Sequence, residues 1–298
     1  MSLTPHGLLV VDKPRGVTSH DVVARLRRLL GTRRVGHAGT LDPAAEGVLV
    51  VAVGAATRLI ERVQSGQKQY LAHVVLGAES DSGDVEGTLA RTSTIVPDRS
   101  AVLAVLAGMT GVVRQVPPAH SAIKVGGEAL YHRARRGEQV DVPARTVSIT
   151  GLSLLSYDYP DALIQVDCGG GVYVRSIARD LGHALGSGAY LHYLLRTRVG
   201  RFDLAYARPL SELERGLSSD TWPLVALHPD AVLRDDDALV LGEASLESWY
   251  HGRPVPMPGG TAVTTTHVRA YDRDGNWLGM ATTDPGRGLW QPRSVIGR

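Results

Sequence analysis

Apolar and polar positions follow several distinct rhythms along this chain, and each rhythm predicts an element. Residues 8–14 (LLVVDKP) are a short apolar run ending in proline, the pattern of a strand that runs into a turn. Between Ser19 and Gly31 (SHDVVARLRRLLG), the apolar residues Val22, Val23, Leu26, Leu29 and Leu30 recur every three or four positions. That spacing predicts an amphipathic helix with Ser19 as N-cap and Gly31 as stop. The run GVLVVAVG (47–54) is too short for a helix and rich in valine, so it predicts a fully buried strand. ATRLIERVQ (56–64) behind it returns to helical spacing. QKQYLAHVVLG (67–77) alternates like a strand, and PDRSAVLAVLAGMTG (97–111) is helical, with its proline near the first turn. ARTVSITGLSLLSYDY (144–159) and DALIQVDCGGG (161–171) predict paired strands. YVRSIARDLGHALG (173–186) predicts a helix whose inner face carries Val174, Ile177, Ala178, Leu181 and Leu185. Strands and helices mixed without a regular βαβ repeat imply an α+β domain with a mixed, largely antiparallel sheet.

The rhythm changes near residue 209. Acidic residues gather in SELERGLSSD and LRDDDALV, all four tryptophans lie beyond this point, and short alternating runs flank the turn DRDG. We therefore expect a separate small β-rich domain, with boundaries at 1–228 and 229–298. A chain of 298 residues suits one large and one small domain.

Charge sharpens this division. The net charge is only +2, yet residues 1–208 hold 24 Lys and Arg against 18 acids, and residues 209–298 hold 8 against 12. A basic front and an acidic tail suggest a polyanionic partner for the front, although a mildly basic solvated surface fits as well. Cys168 is the single cysteine, which excludes an internal disulfide and a zinc site made of several thiolates. No apolar run is long enough to span a bilayer, and the first residues lack the features of a secretory signal, so a soluble cytoplasmic protein is expected.

The loop GHAGTLDPAAEG (36–47) carries the most pointed chemistry. Asp followed by Pro is usually a turn-former, and Asp42 could be no more than that. However, Gly36, Gly39 and Gly47 let the backbone approach a ligand closely, His37 stands five residues upstream, and a rigid apolar strand follows. Such a loop is suited to presenting a carboxylate. Arg175 falls in the first turn of its helix, where the macrodipole disfavours a cation. It could still be a solvated arginine beside Arg179, just as Tyr70 could be sheet packing and Leu194 plain core.

GHAGTLDPAAEGVL resembles the GHTGTLDPxATGVL signature of the bacterial tRNA pseudouridine synthases of the TruB type. Five further stretches resemble the family's motifs in the family's order: LLVVDKPRGVTSHDVV (8–23), KQY (68–70), LGAESDSGDVEG (76–87), QVPPAHSAIKVGGEALYHRAR (115–135) and GVYVRSIARDLG (171–182). The departures are Ala38, Ser80 and Ser82 in place of threonines, Glu46 in place of a threonine, and Val50 in place of a proline. Glu46 bears on the chemistry, because a second acid facing Asp42 would disfavour its ionised form.

The resemblance implies a pseudouridine synthase catalytic domain followed by a small PUA-like domain. It further implies that uridine 55 in the tRNA T-loop is flipped out and isomerised. In that reaction the bond from uracil N1 to the ribose breaks, and C5 of the base joins the same sugar carbon. No redox cofactor or metal is needed, and no metal-ligand spacing is present. By the resemblance, Asp42 is the catalytic carboxylate, Arg175 the cation that keeps it ionised, and Tyr70 the residue that stacks on uracil and takes the C5 proton. His37 would occupy the space of the extruded nucleotide or stabilise the opened loop, and Leu194 would close the pocket. Lys13, Gly39, Thr40 and Tyr173 would add substrate contacts. The basic segment 112–136, part of an insertion of about 112–145, would clamp the RNA through Lys124, Arg133, Arg135 and Arg136. The expected partner is the tRNA T-arm, bound by a monomer without guide RNA or membrane. Covalent attack on the sugar and a glycal route both stay open. A non-catalytic tRNA-binding chaperone and an aspartate-nucleophile phosphotransferase are the alternatives.

Overall fold

The valine-rich runs become strands because β-branched side chains fit a pleated surface packed on both faces. In the computed structural model, β1 (Gly7–Lys13) pairs antiparallel with β3 (Ala45–Val53), and β2 (Val35–His37) adds to the far end of β3. Their alternate residues feed two separate cores. Leu9, Val11, Leu49, Val51 and Val53 enter the larger, whereas Leu8, Val10, Val48, Val50 and Ala52 enter the smaller. This double burial explains why these strands read as continuous apolar runs. The structure describes residues 5–91, 93–118, 136, 138, 142–257, 266–284 and 286–296, together with the backbone of 124–125 and 128–129.

The remaining strands of the main sheet are β4 (Lys68–Leu76), β5 (Gly111–Gln115), β6 (Arg145–Asp158), β7 (Asp161–Cys168), β8 (Ala189–Val199), β9 (Phe202–Asp203) and β10 (Arg208–Pro209). Their order is β10-β1-β3-β8-β4-β7-β6-β5, with β2 on β3 and β9 on β8. Only β1/β10 and β3/β8 are parallel, so the expected mixed, largely antiparallel sheet is observed. β4 alternates as anticipated, with Tyr70, Ala72, Val74 and Leu76 buried in the larger core.

Helices α1 (Ser19–Leu29), α2 (Ile60–Ser65), α3 (Arg99–Gly108) and α4 (Val174–Leu185) pack around this sheet. Two expectations need correction. The N-cap of α1 is Thr18, whose hydroxyl accepts from Asp21 N at 3.0 Å while the Asp21 carboxylate accepts from Thr18 N at 3.0 Å, a capping box that frees Ser19 for another task. The helix predicted over 56–64 is divided into a tight turn at Gly54–Leu59 and the short α2. α4 starts at the anticipated place and ends on Gly186 in the left-handed region.

Beyond α5 (Leu210–Gly216) and α6 (Trp222–Val225), a second sheet orders β11 (Asp237–Val240), β13 (His267–Tyr271), β14 (Trp277–Asp284), β15 (Leu289–Val295) and β12 (Val255–Pro256) side by side. α7 (Glu243–Tyr250) covers it and buries Trp249 against Trp290 and Val255. This β-rich C-terminal unit meets the main body through Leu59, Leu233 and Trp277, with Arg62 paired to Asp236. Among the described residues, no helix is long and apolar enough to cross a membrane.

Candidate active site

Two glycines shape the loop that carries Asp42. Gly39 has φ +107°, a conformation other residues rarely adopt. Gly47 has φ +97°, and a Cβ there would lie 2.4 Å from the Arg196 carbonyl, so glycine is required for β3 to lie against β8. Between them the loop is held from several sides. The Ser19 hydroxyl accepts from Leu41 N at 2.8 Å and donates to Leu41 O at 3.0 Å. Arg196, 1% exposed, donates from Nε to Val48 O at 2.8 Å, from Nη2 to Gly39 O at 3.0 Å and from Nη1 to Thr40 O at 3.3 Å. Lys13 donates to Pro14 O and Val17 O at 3.0 and 2.7 Å and reaches Pro43 O at 3.4 Å. Asp42 therefore sits on a turn whose backbone carbonyls are gripped by two buried cations.

Asp42 projects to the rim of a cavity of about 320 Å³ lined by Tyr70, Tyr173, Leu194, Arg196 and Lys68 among others. Its side chain is 42% exposed and pairs with Arg175, Nη2 to Oδ2 at 2.8 Å, whereas the Arg175 side chain is only 6% exposed. Behind the guanidinium stands a second carboxylate. Asp84 Oδ2 lies 3.4 Å from Arg175 Nη1, which also donates to Ser82 O at 3.1 Å. Asp84 is fixed in turn by the Ser82 hydroxyl at 2.6 Å and Glu86 N at 3.1 Å. A cation placed against the helix dipole is thus offset by two carboxylates. The start of α4 is anchored by Gln115, whose amide accepts from Tyr173 N at 2.8 Å and donates to Tyr173 O at 3.1 Å. Ser176 and Arg179 both donate to Val116 O, at 2.8 and 3.1 Å.

Tyr70 is 6% exposed, and its ring forms one wall of the cavity. Burial raises the pKa of its hydroxyl, and the Arg196 guanidinium opposite it on β8 works against that shift. Leu194, Gly39, Thr40 and Tyr173 all line the cavity.

The other residues named above lie elsewhere or outside the described residues. Lys13 is wholly buried, its pKa pulled down to about 8 by desolvation, and it faces backbone carbonyls, so it supports the Asp42 loop. His37 does not line the cavity. Its Nδ1 is buried without a hydrogen-bond partner, its ring stands edge-on to His20 at 6.0 Å, and burial lowers its pKa. Glu46 accepts the Tyr193 hydroxyl at 2.8 Å and lines neither cavity at Asp42, which removes the concern about a second acid there. Arg133 and Arg135 lie outside the described residues, and for Lys124 only the backbone is described, in a two-residue ladder with Glu128–Ala129. Arg136 is exposed and pairs with Glu138 at 2.7 Å. Among the described residues, no group of His, Cys, Asp and Glu could hold a metal.

The role of Arg196 escaped sequence reasoning, although a signal existed: two positions from Leu194 on one strand, it must share Leu194's face. Ser19 was misread as a cap for want of the tertiary contact, and nothing local to Asp84 reveals that Arg175 will face it.

Residues 27–174 match the model of the TruB family pseudouridylate synthase N-terminal domain. The tRNA pseudouridine synthase B of Gloeobacter violaceus is 47% identical over 255 residues, spanning 84% of this chain and 86% of that protein. The tRNA pseudouridine synthase B of Synechococcus elongatus is 40% identical over 299 residues, covering 99% of both. The fold is shared with a chain of the Cbf5-Nop10-Gar1 complex, with a TM-score of 0.72 at 24% identity over 98% of this chain and 85% of that one. Taken with a loop-borne aspartate paired to a buried arginine, these likenesses establish that the chain belongs to the TruB family of pseudouridylate synthases.

Proposed function

We propose that this protein converts a uridine of tRNA to pseudouridine, at position 55 of the T-loop. The observation that carries this reading is the Asp42–Arg175 pair at 2.8 Å on the rim of a cavity walled by Tyr70 and Leu194. The reaction needs an anion beside a sugar carbon that develops positive character, the demand that carboxylates meet in glycoside hydrolysis. Asp42 supplies that anion, either by attacking C1′ or by taking a C2′ proton, and Arg175 is the counter-charge paired with it. A stacked T-loop base must first be flipped out, which costs about a few kcal/mol. Tyr70 then offers its ring as a stacking surface. Its hydroxyl takes the C5 proton, a role that needs phenolate character; burial opposes it and the adjacent Arg196 favours it.

We assign residues 1–228 to catalysis and 229–298 to a PUA-like RNA-binding domain. The segment of about 112–145, with Lys124, Arg133, Arg135 and Arg136, is assigned as the RNA clamp. Its ends support this, since β5 and the start of β6 pair antiparallel at the edge of the sheet. His37 is assigned to the flipped-out loop, close to the cavity without lining it. The reading includes a cytoplasmic monomer that acts on the T-arm without guide RNA or cofactor.

The deciding experiment is Asp42→Asn. The variant should bind tRNA with near-wild-type affinity and form no pseudouridine, read as carbodiimide-dependent stops in primer extension. Turnover by this variant would overturn the assignment.

A further inference from the structure

We infer that Lys68 and Arg196 form a buried cationic floor that stabilises the negative charge taken up by the uracil base as its bond to the ribose breaks; this rests on the isomerisation proposed above. Both residues line the cavity that holds Asp42, Tyr70 and Leu194. Lys68 is 7% exposed and Arg196 1%. They converge on Gly39, where a Cβ would lie 3.6 Å from Arg196 Nη1 and 3.9 Å from Lys68 Cε.

Their partners make the case. Lys68 Nζ donates to Gln64 O at 2.6 Å and Gly66 O at 2.8 Å, and an ammonium has a third donor. Arg196 spends three of its five N–H groups on the carbonyls of Val48, Thr40 and Gly39. Carbonyl dipoles orient these cations but do not neutralise them, and among the described residues neither forms an ion pair with a carboxylate. Arg175 differs, because Asp42 and Asp84 balance it. The lining thus holds two cations without a counter-charge beside each other, an arrangement that is costly in the empty site. Desolvation lowers the pKa of Lys68, and Arg196 adds to the effect. An arriving anion relieves that cost, and such a breach of local rules marks a site where charge develops.

The chemistry supplies the anion. When N1–C1′ breaks, its electron pair leaves with the ring and spreads from N1 over the O2 and O4 carbonyls. C1′ is then bonded by the Asp42 carboxylate, or the sugar gives Asp42 its C2′ proton. Afterwards C5 bonds to C1′ as the ester bond to Asp42 breaks, or as Asp42 returns its proton to C2′; the C5 proton is lost and N1 gains one, so the carboxylate is regenerated and nothing is consumed. Both routes pass through the departing anion, so the inference holds for either.

The test compares two T-arm RNAs in single turnover at saturating enzyme. One carries uridine and the other 5-fluorouridine, whose electron-withdrawing fluorine makes the ring a better leaving group. Loss of the N-linked nucleoside is read by chromatography after nuclease digestion. Lys68→Met and Arg196→Met should slow the uridine RNA by about 10²-fold and the fluorinated RNA by only about 10-fold, while RNA affinity changes little. Arg196→Met also strips donors from three carbonyls and can fail to fold, so Lys68→Met, which frees only two, decides the matter alone. Equal slowing of both RNAs would overturn the inference, and so would wild-type speed on uridine in Lys68→Met. Wild-type protein that leaves uridine unchanged would instead overturn the reaction assignment.

Discussion

Replacing Arg175 with methionine separates the two tasks of its guanidinium. The Asp42 leg of the interaction is half exposed, and surface pairs of that kind contribute about 0–1 kcal/mol to stability. The Asp84 leg is different, because at 3.4 Å both side chains are under 10% exposed. Removing the cation strands a buried carboxylate, a change that costs about 3–5 kcal/mol. For a domain of this size that corresponds to a fall in Tm of roughly 10 °C. Activity should fall by at least about 10²-fold, since a charge-assisted contact of about 3 kcal/mol beside the reacting carboxylate is lost. Adding Asp84→Asn removes the stranded charge. The double variant should therefore regain about half of the lost stability or more, by differential scanning calorimetry, yet stay inactive, because Asp42 still lacks its cation. Recovery of turnover together with Tm would refute the reasoning. So would an Arg175→Met protein that melts within about 1 °C of wild type.

Other consequences follow from the residues that grip the Asp42 loop. Ser19→Ala leaves both polar groups of Leu41 without their buried partner, so chemical denaturation should show a loss of about 1–3 kcal/mol, with kcat reduced and tRNA affinity unchanged. Lys13 has a folded pKa near 8 against 10.5 for the free side chain, so between these values the unfolded chain binds more protons and folding gains as pH rises. The stability of wild type relative to Lys13→Met should accordingly increase by up to about 3 kcal/mol from pH 8 to 10.5; a flat difference across that window would contradict the burial argument. Triple replacement of Arg133, Arg135 and Arg136 by alanine should weaken tRNA binding and flatten its dependence on salt while single-turnover chemistry at saturating enzyme is preserved, and filter binding across a salt series checks both.

Much of this was legible because local rules and tertiary demands agree. The stripe of α1, the alternation of β4 and the valine runs of β1 and β3 each reflect a face buried in the observed core. The site was legible only where the chain concentrates it, in the glycine-bounded loop around Asp42 and the first turn of α4. Its supports were not. Asp84 and Arg175 are far apart in sequence and meet only because α4 packs over the loop after β4, and Ser19 looks like a cap until Leu41 is seen beside it. The resemblance places Lys13 among the substrate contacts. No one-dimensional pattern distinguishes a lysine that faces a ligand from one enclosed by three carbonyls.

The hydrogen bonds that join residues 115 and 116 to the first turn of α4 have a mechanical consequence. Gln115 ends β5 and Val116 follows it, and together they hold Tyr173 and Ser176 on either side of Arg175. On the clamp assignment proposed above, a pull on the chain beyond Val116 is transmitted through these four bonds to the helix that carries Arg175. Grip and chemistry, so assigned, share one hinge pin: a change that loosens residues 115 and 116 also blunts the tool.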